Sequence, residues 1–311
     1  MKETTGIINL LKPPGMTSHD CISFLRRTTG IKRIGHTGTL DPMAVGVLPI
    51  CIGTATRIID YLDGGEKSYR CEMLLGVETD TQDIWGTVLS DHREVTIDED
   101  SLINAMNSLT GEILQTPPSY SALKVDGRRA YDYARKGIEV TLEPRPASIR
   151  SLKLIRYDKA TNRVLFDVVC GRGTYVRTLC FDIGRRLGCG ATMSFLIRTA
   201  SGPFRLNEAV TPEALLEDWQ QSLLPVDFPL GHLGKIQIPG TRVGWYSNGG
   251  YLRKGEVQII KTPDASRTEE RMKKSRGQTD GYTVYSDGVF LGTSRYDEVK
   301  ELFFADKVLC R

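Results

Sequence analysis

The sequence predicts an α+β protein, because its 311 residues contain both strand-like and helix-like patterns of apolar side chains. Residues 67–77 alternate apolar and polar side chains, and this period of two is typical of a half-buried strand. Residues 98–111 repeat apolar side chains at the spacing of a helix that buries one face. Residues 233–311 contain short strand-like runs between glycine turns, which predict a second, smaller unit that is all-β.

Composition restricts the class of protein. Hydrophobic residues make up 40% and charged residues 25% of the chain, and the net charge of +3 permits an anionic partner without requiring one. The seven cysteines form no C-x-x-C pair and the four histidines lack helical ligand spacing, so we expect neither a disulfide scaffold nor a metal site. No apolar run is long enough for a signal peptide or a membrane span, and we expect a cytoplasmic protein without a membrane partner.

The first elements are a strand, a stiff turn and a helix. Residues 6–11 form an apolar run, and the K-P-P-G-M-T-S segment that follows contains two prolines and a glycine. Thr17 or Ser18 can cap the helix, which the apolar spacing extends to near Gly30. A strand, turn and helix without a functional role is the ordinary interpretation of this segment.

Residues 33–49 read R-I-G-H-T-G-T-L-D-P-M-A-V-G-V-L-P and present one carboxylate, Asp41, in a loop on an apolar base. The proline after it favours an extended backbone at Asp41. Gly35 and Gly38 have no Cβ, so another chain segment or a ligand can approach closely, and His36 can project from the same loop. This arrangement is typical of an exposed reactive group, although an aspartate before proline more often only starts a turn.

Tyr69 lies on the strand predicted at residues 67–77, where a core aromatic is the ordinary interpretation. In the polar loop that follows, Asp80 and Asp83 are candidates to hold an arginine or backbone groups. The helix predicted at residues 98–111 is expected to end at its glycine.

Residues 148–157 and 163–170 both alternate and predict an antiparallel pair of strands. A helix follows, with Thr174 as its candidate cap and Gly188 after its last turn. Arg177 lies in the first turn of this helix, off its apolar stripe. Because the helix dipole disfavours a cation there, we expect a carboxylate partner for Arg177, although a surface arginine is the ordinary interpretation.

The segment of residues 119–145 combines basic and aromatic side chains. This combination suits an RNA backbone with unpaired bases, and a solvated helix–loop excursion is the alternative. The basic candidates are Lys124, Arg128, Arg129, Arg135 and Lys136, interleaved with Tyr120, Tyr131 and Tyr133.

Three features follow in the last third of the chain. Thr211 is the predicted cap of a helix that has proline at its first position. Residues 225–240 are rich in proline and glycine and predict a linker. Residues 263–281 are highly charged and interrupt the strand pattern, so we expect a mobile loop there.

Several strings together carry a resemblance to a known family. G-H-T-G-T-L-D-P, followed by G-V-L-P, resembles the catalytic loop of pseudouridine synthases of the TruB type, which modify the T-loop of tRNA. K-P-P-G-M-T-S, K-S-Y-R and G-T-Y-V-R-T-L resemble three further motifs of that family. The resemblance spans nearly the whole chain. In the C-terminal unit it is weaker, where two strings resemble a PUA domain, a small RNA-binding barrel.

The resemblance implies a role for each matched residue. Asp41 is expected to be the nucleophile, with Arg177 as its ion-pair partner, while Tyr69 stacks on the target base. Tyr175 is expected to line the pocket, and Leu196 to pack against the flipped base.

Other residues are expected to support the site or to bind RNA. The resemblance implies a structural role for Lys12, and we expect the same of Gly35 and Gly38. His36 is our candidate to occupy the space that a flipped base vacates. The insertion, about residues 124–146, is implied to clamp the RNA stem-loop.

The resemblance also implies the fold and its domains. A catalytic domain of residues 1–232 is expected to contain a mixed, largely antiparallel sheet with flanking helices. A PUA-like RNA-binding domain is expected at residues 233–311.

The implied reaction is the isomerisation of uridine to pseudouridine at position 55 of tRNA, by a monomer that needs no cofactor, metal or protein partner. The base must leave through N1, turn, and rejoin the sugar through C5. Attack by Asp41 on the sugar and attack on the base ring are both compatible with the sequence, and Tyr69 is a candidate to remove the C5 proton.

Three other functions are alternatives to this one. The first is a guide-RNA-dependent synthase subunit, which would lack the basic insertion. The second is a glycosidase, which would normally need two paired carboxylates. The third is a non-catalytic RNA-binding or RNA-folding protein, which would not need Asp41.

Overall fold

A computed structural model describes residues 4–62, 65–92, 95–121, 123–125, 127–138, 140–264 and 280–310. α-Helices are interspersed among runs of one to three strands through the first two thirds of the chain. In chain order these elements are β1 (Gly6–Lys12), α1 (Ser18–Thr29), β2 (Ile34–His36), β3 (Val45–Ile52), α2 (Ile59–Leu62), β4 (Lys67–Leu75), β5 (Val77–Thr79), β6 (Val88–Asp91), α3 (Glu99–Asn107), β7 (Gly111–Gln115), β8 (Lys124–Val125), β9 (Arg128–Arg129), α4 (Ala130–Ala134), β10 (Arg145–Asp158), β11 (Arg163–Cys170), α5 (Val176–Leu187), β12 (Ala191–Ser201), β13 (Phe204–Arg205) and α6 (Pro212–Asp218).

Strands of this part form one sheet in the order β1-β3-β12-β4-β11-β10-β7, to which β2 and β13 add at β3 and β12. Its pairs are antiparallel except for the parallel pair of β3 and β12. The mixed, largely antiparallel sheet that the resemblance implies is therefore confirmed. Asp41 lies just before β3, Leu196 lies on β12 and Tyr69 lies on β4. These three strands are neighbours in the sheet.

The helices bury apolar residues against this sheet. Side chains of α1, α3 and α5 share one core cluster with those of β3, β4, β11 and β12. Helix α1 begins with a capping box, in which Thr17 Oγ1 accepts the backbone N–H of Asp20 at 3.0 Å and Thr17 N donates to the Asp20 carboxylate at 2.8 Å. It ends at Gly30, whose φ of 71° favours glycine. The predictions for β1 and α1 are confirmed.

Two predicted helix boundaries are wrong. Helix α3 ends at Asn107, before the predicted end at Gly111. Gly111, at φ 99°, is instead the first residue of β7. The residue that flanks α5 is Tyr175 and not Thr174. Gln115 on β7 accepts the Tyr175 N–H at 3.1 Å and donates to its carbonyl at 3.3 Å. A distant side chain thus replaces the local cap that the sequence pattern predicts.

The described residues of the C-terminal unit contain a curled sheet in the order β15-β19-β18-β17-β14-β16 and the α-helix α7. The expectation of an all-β unit is wrong, because Val243 and Tyr246, one turn apart on α7, pack into the core of this unit. The sequence of α7 contains two glycines, which is also typical of turns between strands, and this similarity explains the wrong prediction. The elements are β14 (Gly234–Gln237), α7 (Gly240–Ser247), β15 (Leu252–Arg253), β16 (Gln258–Lys261), β17 (Asp280–Ser286), β18 (Val289–Asp297) and β19 (Leu302–Val308).

Residues 225–240, predicted as a linker, instead contribute to a core. Leu230 and Leu233 are buried in a cluster that includes Ile7 and is contacted by Phe290 from β18. Most of the predicted mobile loop, residues 265–279, lies outside the described residues. In the part of the chain that the structure describes, no helix is both long and apolar enough to cross a membrane.

Candidate active site

The loop that carries Asp41 connects β2 to β3 and rests on a buried lysine. Lys12, at the end of β1, has no exposed surface. Its Nζ donates hydrogen bonds to the carbonyls of Pro13 at 2.8 Å, Pro42 at 3.2 Å and Ala44 at 2.6 Å. Burial lowers the pKa of Lys12 to about 8, and the three carbonyls act as acceptors in place of water. Lys12 therefore fixes the backbone that immediately follows Asp41.

Glycines and a serine shape the other side of this loop. Gly38 has φ 77°, a conformation that favours glycine. Gly35 lies against Ile59, whose Cδ1 would be 2.8 Å from a Cβ at this position. The Ser18 hydroxyl accepts the Leu40 N–H at 2.9 Å and donates to the Leu40 carbonyl at 3.2 Å. These contacts give the loop a single well-defined path.

Arg177, in the first turn of α5, forms an ion pair with Asp41. Arg177 Nη2 donates a hydrogen bond to Asp41 Oδ1 at 3.2 Å, and Nε lies 2.9 Å from Oδ2. The Nε–H direction does not suit a hydrogen bond, so this second contact is electrostatic. The Arg177 side chain is 5% exposed and that of Asp41 is 35% exposed. A buried guanidinium thus holds a carboxylate that solvent reaches, and the carboxylate partner that the sequence predicts for Arg177 is present.

Three further acceptors fix the Arg177 side chain. Nη1 donates to the carbonyl of Thr81 at 2.9 Å, and Nη2 donates to the carbonyl of Tyr120 at 3.0 Å. The carboxylate of Asp83 lies 3.6 Å from Nη1. Burial raises the pKa of Asp83, and hydrogen bonds from Thr81 together with the Arg177 charge oppose that rise. The guanidinium is therefore oriented before any substrate binds.

A second buried arginine, Arg198, lies between the strands of the site and was not among the residues predicted from the sequence. On β12 it pairs with Tyr69 of β4 and with Gly46 of β3. Its Nε donates to the carbonyl of Val47 at 2.6 Å, and its Nη2 donates to that of Gly38 at 3.4 Å. Arg198 therefore binds one carbonyl on each side of Asp41, at Gly38 in the loop and at Val47 in β3. Its signal in the sequence is an arginine within the apolar run F-L-I-R.

Tyr69 and Leu196 both belong to the main hydrophobic cluster, with exposures of 8% and 4%. Burial raises the pKa of Tyr69, and the charge of Arg198 opposes the rise. Tyr69 is therefore a neutral phenol at neutral pH. This state suits contact with a base and disfavours Tyr69 as the group that removes the C5 proton.

His36 and Tyr175 are half-buried at the ends of β2 and α5. The cations of the insertion lie at the surface: Lys124, Arg128, Arg129 and Arg135 are exposed on β8, β9 and the end of α4. Arg129 and Arg135 place their guanidinium carbons 5.8 and 5.4 Å from the ring centre of Tyr131. Tyr120 lies at the start of the basic and aromatic segment of residues 119–145. Its backbone carbonyl accepts a hydrogen bond from Arg177 and so links this segment to the site.

Two family models match the chain in succession. Residues 26–176 match the N-terminal domain of the TruB family pseudouridylate synthases, and residues 177–230 match the tRNA pseudouridylate synthase B C-terminal domain. The chain belongs to the TruB family. Asp41, Tyr69, Arg177 and Leu196 all lie within the matched ranges.

Curated relatives agree with this membership. The tRNA pseudouridine synthase B of Alkaliphilus oremlandii (strain OhILAs) is 52% identical over 235 residues, which cover 75% of this chain and 78% of that protein. That of Clostridium perfringens (strain SM101 / Type A) is 42% identical over 295 residues, which cover 94% of this chain and 95% of that protein. The family likeness therefore continues into the C-terminal unit.

Solved structures share the fold. A chain from the crystal structure of a Cbf5-Nop10-Gar1 complex is 25% identical, with a TM-score of 0.74, and the match covers 98% of this chain and 85% of that one. A chain from an H/ACA RNP bound to a substrate RNA containing 2'-deoxyuridine is 24% identical, with a TM-score of 0.73 and the same coverage.

Proposed function

We propose that this protein isomerises uridine to pseudouridine in tRNA, at position 55 of the T-loop. The observation that carries the proposal is the ion pair of a partly exposed Asp41 with a buried Arg177, in a chain of this family. The reaction breaks the bond from N1 of uracil to the sugar and forms one from C5. The hydrogen at C5 is lost and N1 gains a proton, so the product is an isomer of the substrate.

Asp41 acts as the nucleophile in this proposal. A carboxylate must be ionised to attack, and the adjacent guanidinium of Arg177 stabilises the charged form. Because Lys12 and Arg198 bind carbonyls on both sides of Asp41, the loop holds the carboxylate in place. Preorganisation of this kind lowers the cost of reaching the reactive geometry.

The target uridine must leave its stack to reach Asp41, at a cost of a few kcal/mol. We assign His36 to the space that the base vacates. Tyr69 and Leu196, on the neighbouring strands β4 and β12, contact the uracil, and Tyr175 lines the pocket. Support for these roles comes from the strand order, which brings β3, β12 and β4 together.

Regions outside the site bind the rest of the tRNA in this proposal. Exposed cations of the insertion, about residues 124–146, clamp the stem-loop. Residues 1–232 form the catalytic domain, and residues 233–311 form a PUA-like RNA-binding domain, for which the curled sheet is the support. The protein acts as a cytoplasmic monomer that needs no protein partner.

A second candidate function is a synthase subunit that works inside an RNA–protein complex. The similarity to chains of the Cbf5-Nop10-Gar1 complex and the H/ACA RNP favours it. The greater identity to proteins named tRNA pseudouridine synthase B, together with the exposed basic insertion, favours the stand-alone enzyme.

The test uses purified protein and a tRNA transcript that carries tritium at C5 of its uridines. Protein alone is expected to release one tritium per tRNA. A transcript with cytidine at position 55 is the control and is expected to release none. Release only after another RNA or protein is added would favour the subunit model, and release from the control transcript would contradict the assigned position.

A further inference from the structure

The loop between β5 and β6, residues 80–87, forms one wall of the candidate site. The Thr81 carbonyl accepts a hydrogen bond from Arg177 at 2.9 Å, and the Asp83 carboxylate lies 3.6 Å from the same guanidinium. Arg177 in turn contacts Asp41. The loop therefore lies next to the residue that pairs with Asp41.

The loop is braced against the rest of the domain. The Gln82 side chain accepts a hydrogen bond from Thr178 Oγ1 of α5 at 2.8 Å. The backbone of Met193 on β12 donates to the Gln82 carbonyl at 3.1 Å and accepts the N–H of Ile84 at 2.9 Å. Gln82 has φ 62°, which is uncommon for a residue other than glycine and persists where surrounding contacts fix it.

This braced loop presents an aromatic side chain to solvent. Trp85 is 58% exposed, and its backbone N–H donates to the buried carboxylate of Asp83 at 3.0 Å. Ile84, Val88 and Leu89 beside it are 48%, 53% and 68% exposed. An indole that is exposed on a rigid support can stack on a ligand without the cost of ordering a mobile loop.

We propose that Trp85 is a stacking platform for an unpaired base of the substrate RNA, next to the nucleotide that reacts. This inference rests on the proposed function. The chain from Asp83 to Trp85 spans at most about 7 Å, so the indole lies within a few nucleotides of the base bound at Asp41. The partner is the flat face of a base, which stacks on aromatic side chains irrespective of its sequence.

The charge of this hairpin favours a base over a phosphate. Residues 77–91 contain no lysine or arginine, and they contain Glu78, Asp80, Asp83 and Asp91. A phosphate would be repelled by this segment, whereas stacking needs no cation. The contact is therefore expected to add affinity without adding to the salt dependence of binding.

The test compares Trp85→Ala, Trp85→Phe and Leu216→Ala in the full-length protein, with a tRNA transcript as the probe. Leu216 on α6 is 65% exposed and serves as the matched control for removal of an exposed apolar side chain. Trp85→Ala is expected to raise KM by about 5- to 150-fold, the effect of losing one stacked base, with little change in kcat. Trp85→Phe is expected to restore most of the affinity, and Leu216→Ala to have none of this effect.

Two further readouts separate the proposal from its rivals. RNA is expected to quench the tryptophan fluorescence of the wild type, and the part due to Trp85 is expected to be missing in Trp85→Phe. The slope of log affinity against log salt is expected to be the same in Trp85→Ala as in the wild type. A shallower slope would indicate a phosphate contact and would overturn the proposal.

Other outcomes also contradict it. An unchanged KM for Trp85→Ala, with normal turnover, would exclude the stacking contact and would leave the proposed function intact. If that variant instead lowered the self-association of the protein in sedimentation velocity, the patch would be a protein contact. A wild type without turnover would contradict the proposed function itself.

Discussion

The two regions that we assign to RNA are built in opposite ways. The loop of Asp41 rests on two buried cations, Lys12 and Arg198, which bind backbone carbonyls. The insertion of residues 124–146 instead presents its cations to solvent. Fixed, buried charges suit chemistry at one atom, whereas exposed, long side chains suit an extended polyanion. Substitutions near Asp41 should therefore lower kcat, and those in the insertion should raise KM.

Among the residues that support Asp41, the largest effect is expected from Arg177→Met. This change leaves Asp41 and the buried Asp83 without their shared cation. We expect kcat to fall by about 10²- to 10³-fold, the usual cost of removing one preorganised electrostatic contact, with KM nearly unchanged. Tritium release under single-turnover conditions measures this effect.

Arg70→Met is the matched control for Arg177→Met. Arg70 makes a bidentate ion pair with Asp167 at 2.8 Å, on an exposed part of the sheet. An exposed pair contributes at most about 1 kcal/mol, so activity should be unchanged. Equal losses of kcat in the two variants would contradict a specific role for Arg177.

The next largest effect is expected from Lys12→Met, which is expected to lower the stability of the fold. It keeps the apolar stem and removes a donor from three carbonyls, of which that of Ala44 is buried and that of Pro42 still accepts the Gly15 N–H. A buried acceptor without a partner costs about 1–3 kcal/mol, so we expect the free energy of unfolding to fall by about that amount. Urea denaturation measures the change. Lys254→Met, at an exposed ion pair with Glu301, is the control, and a comparable loss there would contradict the structural role of Lys12.

The comparison also predicts a milder change for Arg128→Ala/Arg129→Ala. Both side chains are exposed on β9. We expect KM to rise several-fold, kcat to stay the same, and the slope of log affinity against log salt to fall by about 2, because two phosphate contacts are lost. Lys159→Ala, in the turn between β10 and β11, is the control. A loss of kcat without any change in KM would break the division between the two regions.

The smallest effect is a pH dependence at Asp83. Its folded pKa is raised above the ordinary value of 3.8, mainly by burial, so it destabilises the fold as pH rises through the folded pKa. Asp83→Asn removes this titration. The stability of Asp83→Asn relative to the wild type should therefore rise as the pH increases above the ordinary pKa of 3.8, as measured by urea midpoints. A difference that is independent of pH, or that falls with rising pH, would contradict a raised pKa.

Patterns within one segment predicted the fold better than patterns that depend on distant residues. The period of β4, the cap of α1 at Thr17 and the dipole argument for Arg177 all lie in contiguous residues, and the structure contains each. The cap of α5 depends on Gln115, about 60 residues away, and no local signal reveals it.

Glycine and buried charge account for the other differences. The glycines of α7 have the same sequence pattern as turns between strands. The helix is stabilised by the burial of Tyr246, which the sequence pattern does not reveal. Arg198 resembles a surface residue until strand pairing places it between β3 and β4. In both cases tertiary contacts decide the structure.

Turnover by Asp41→Asn is the most direct test of the central claim that an ionised Asp41 is the nucleophile. Asparagine keeps the size of the side chain and an oxygen for Arg177, but it has no carboxylate. We predict that the single-turnover rate of tritium release falls by at least about 10⁴-fold, while the dissociation constant for tRNA changes little. Pseudouridine formation by Asp41→Asn at a rate close to that of the wild type would contradict the account.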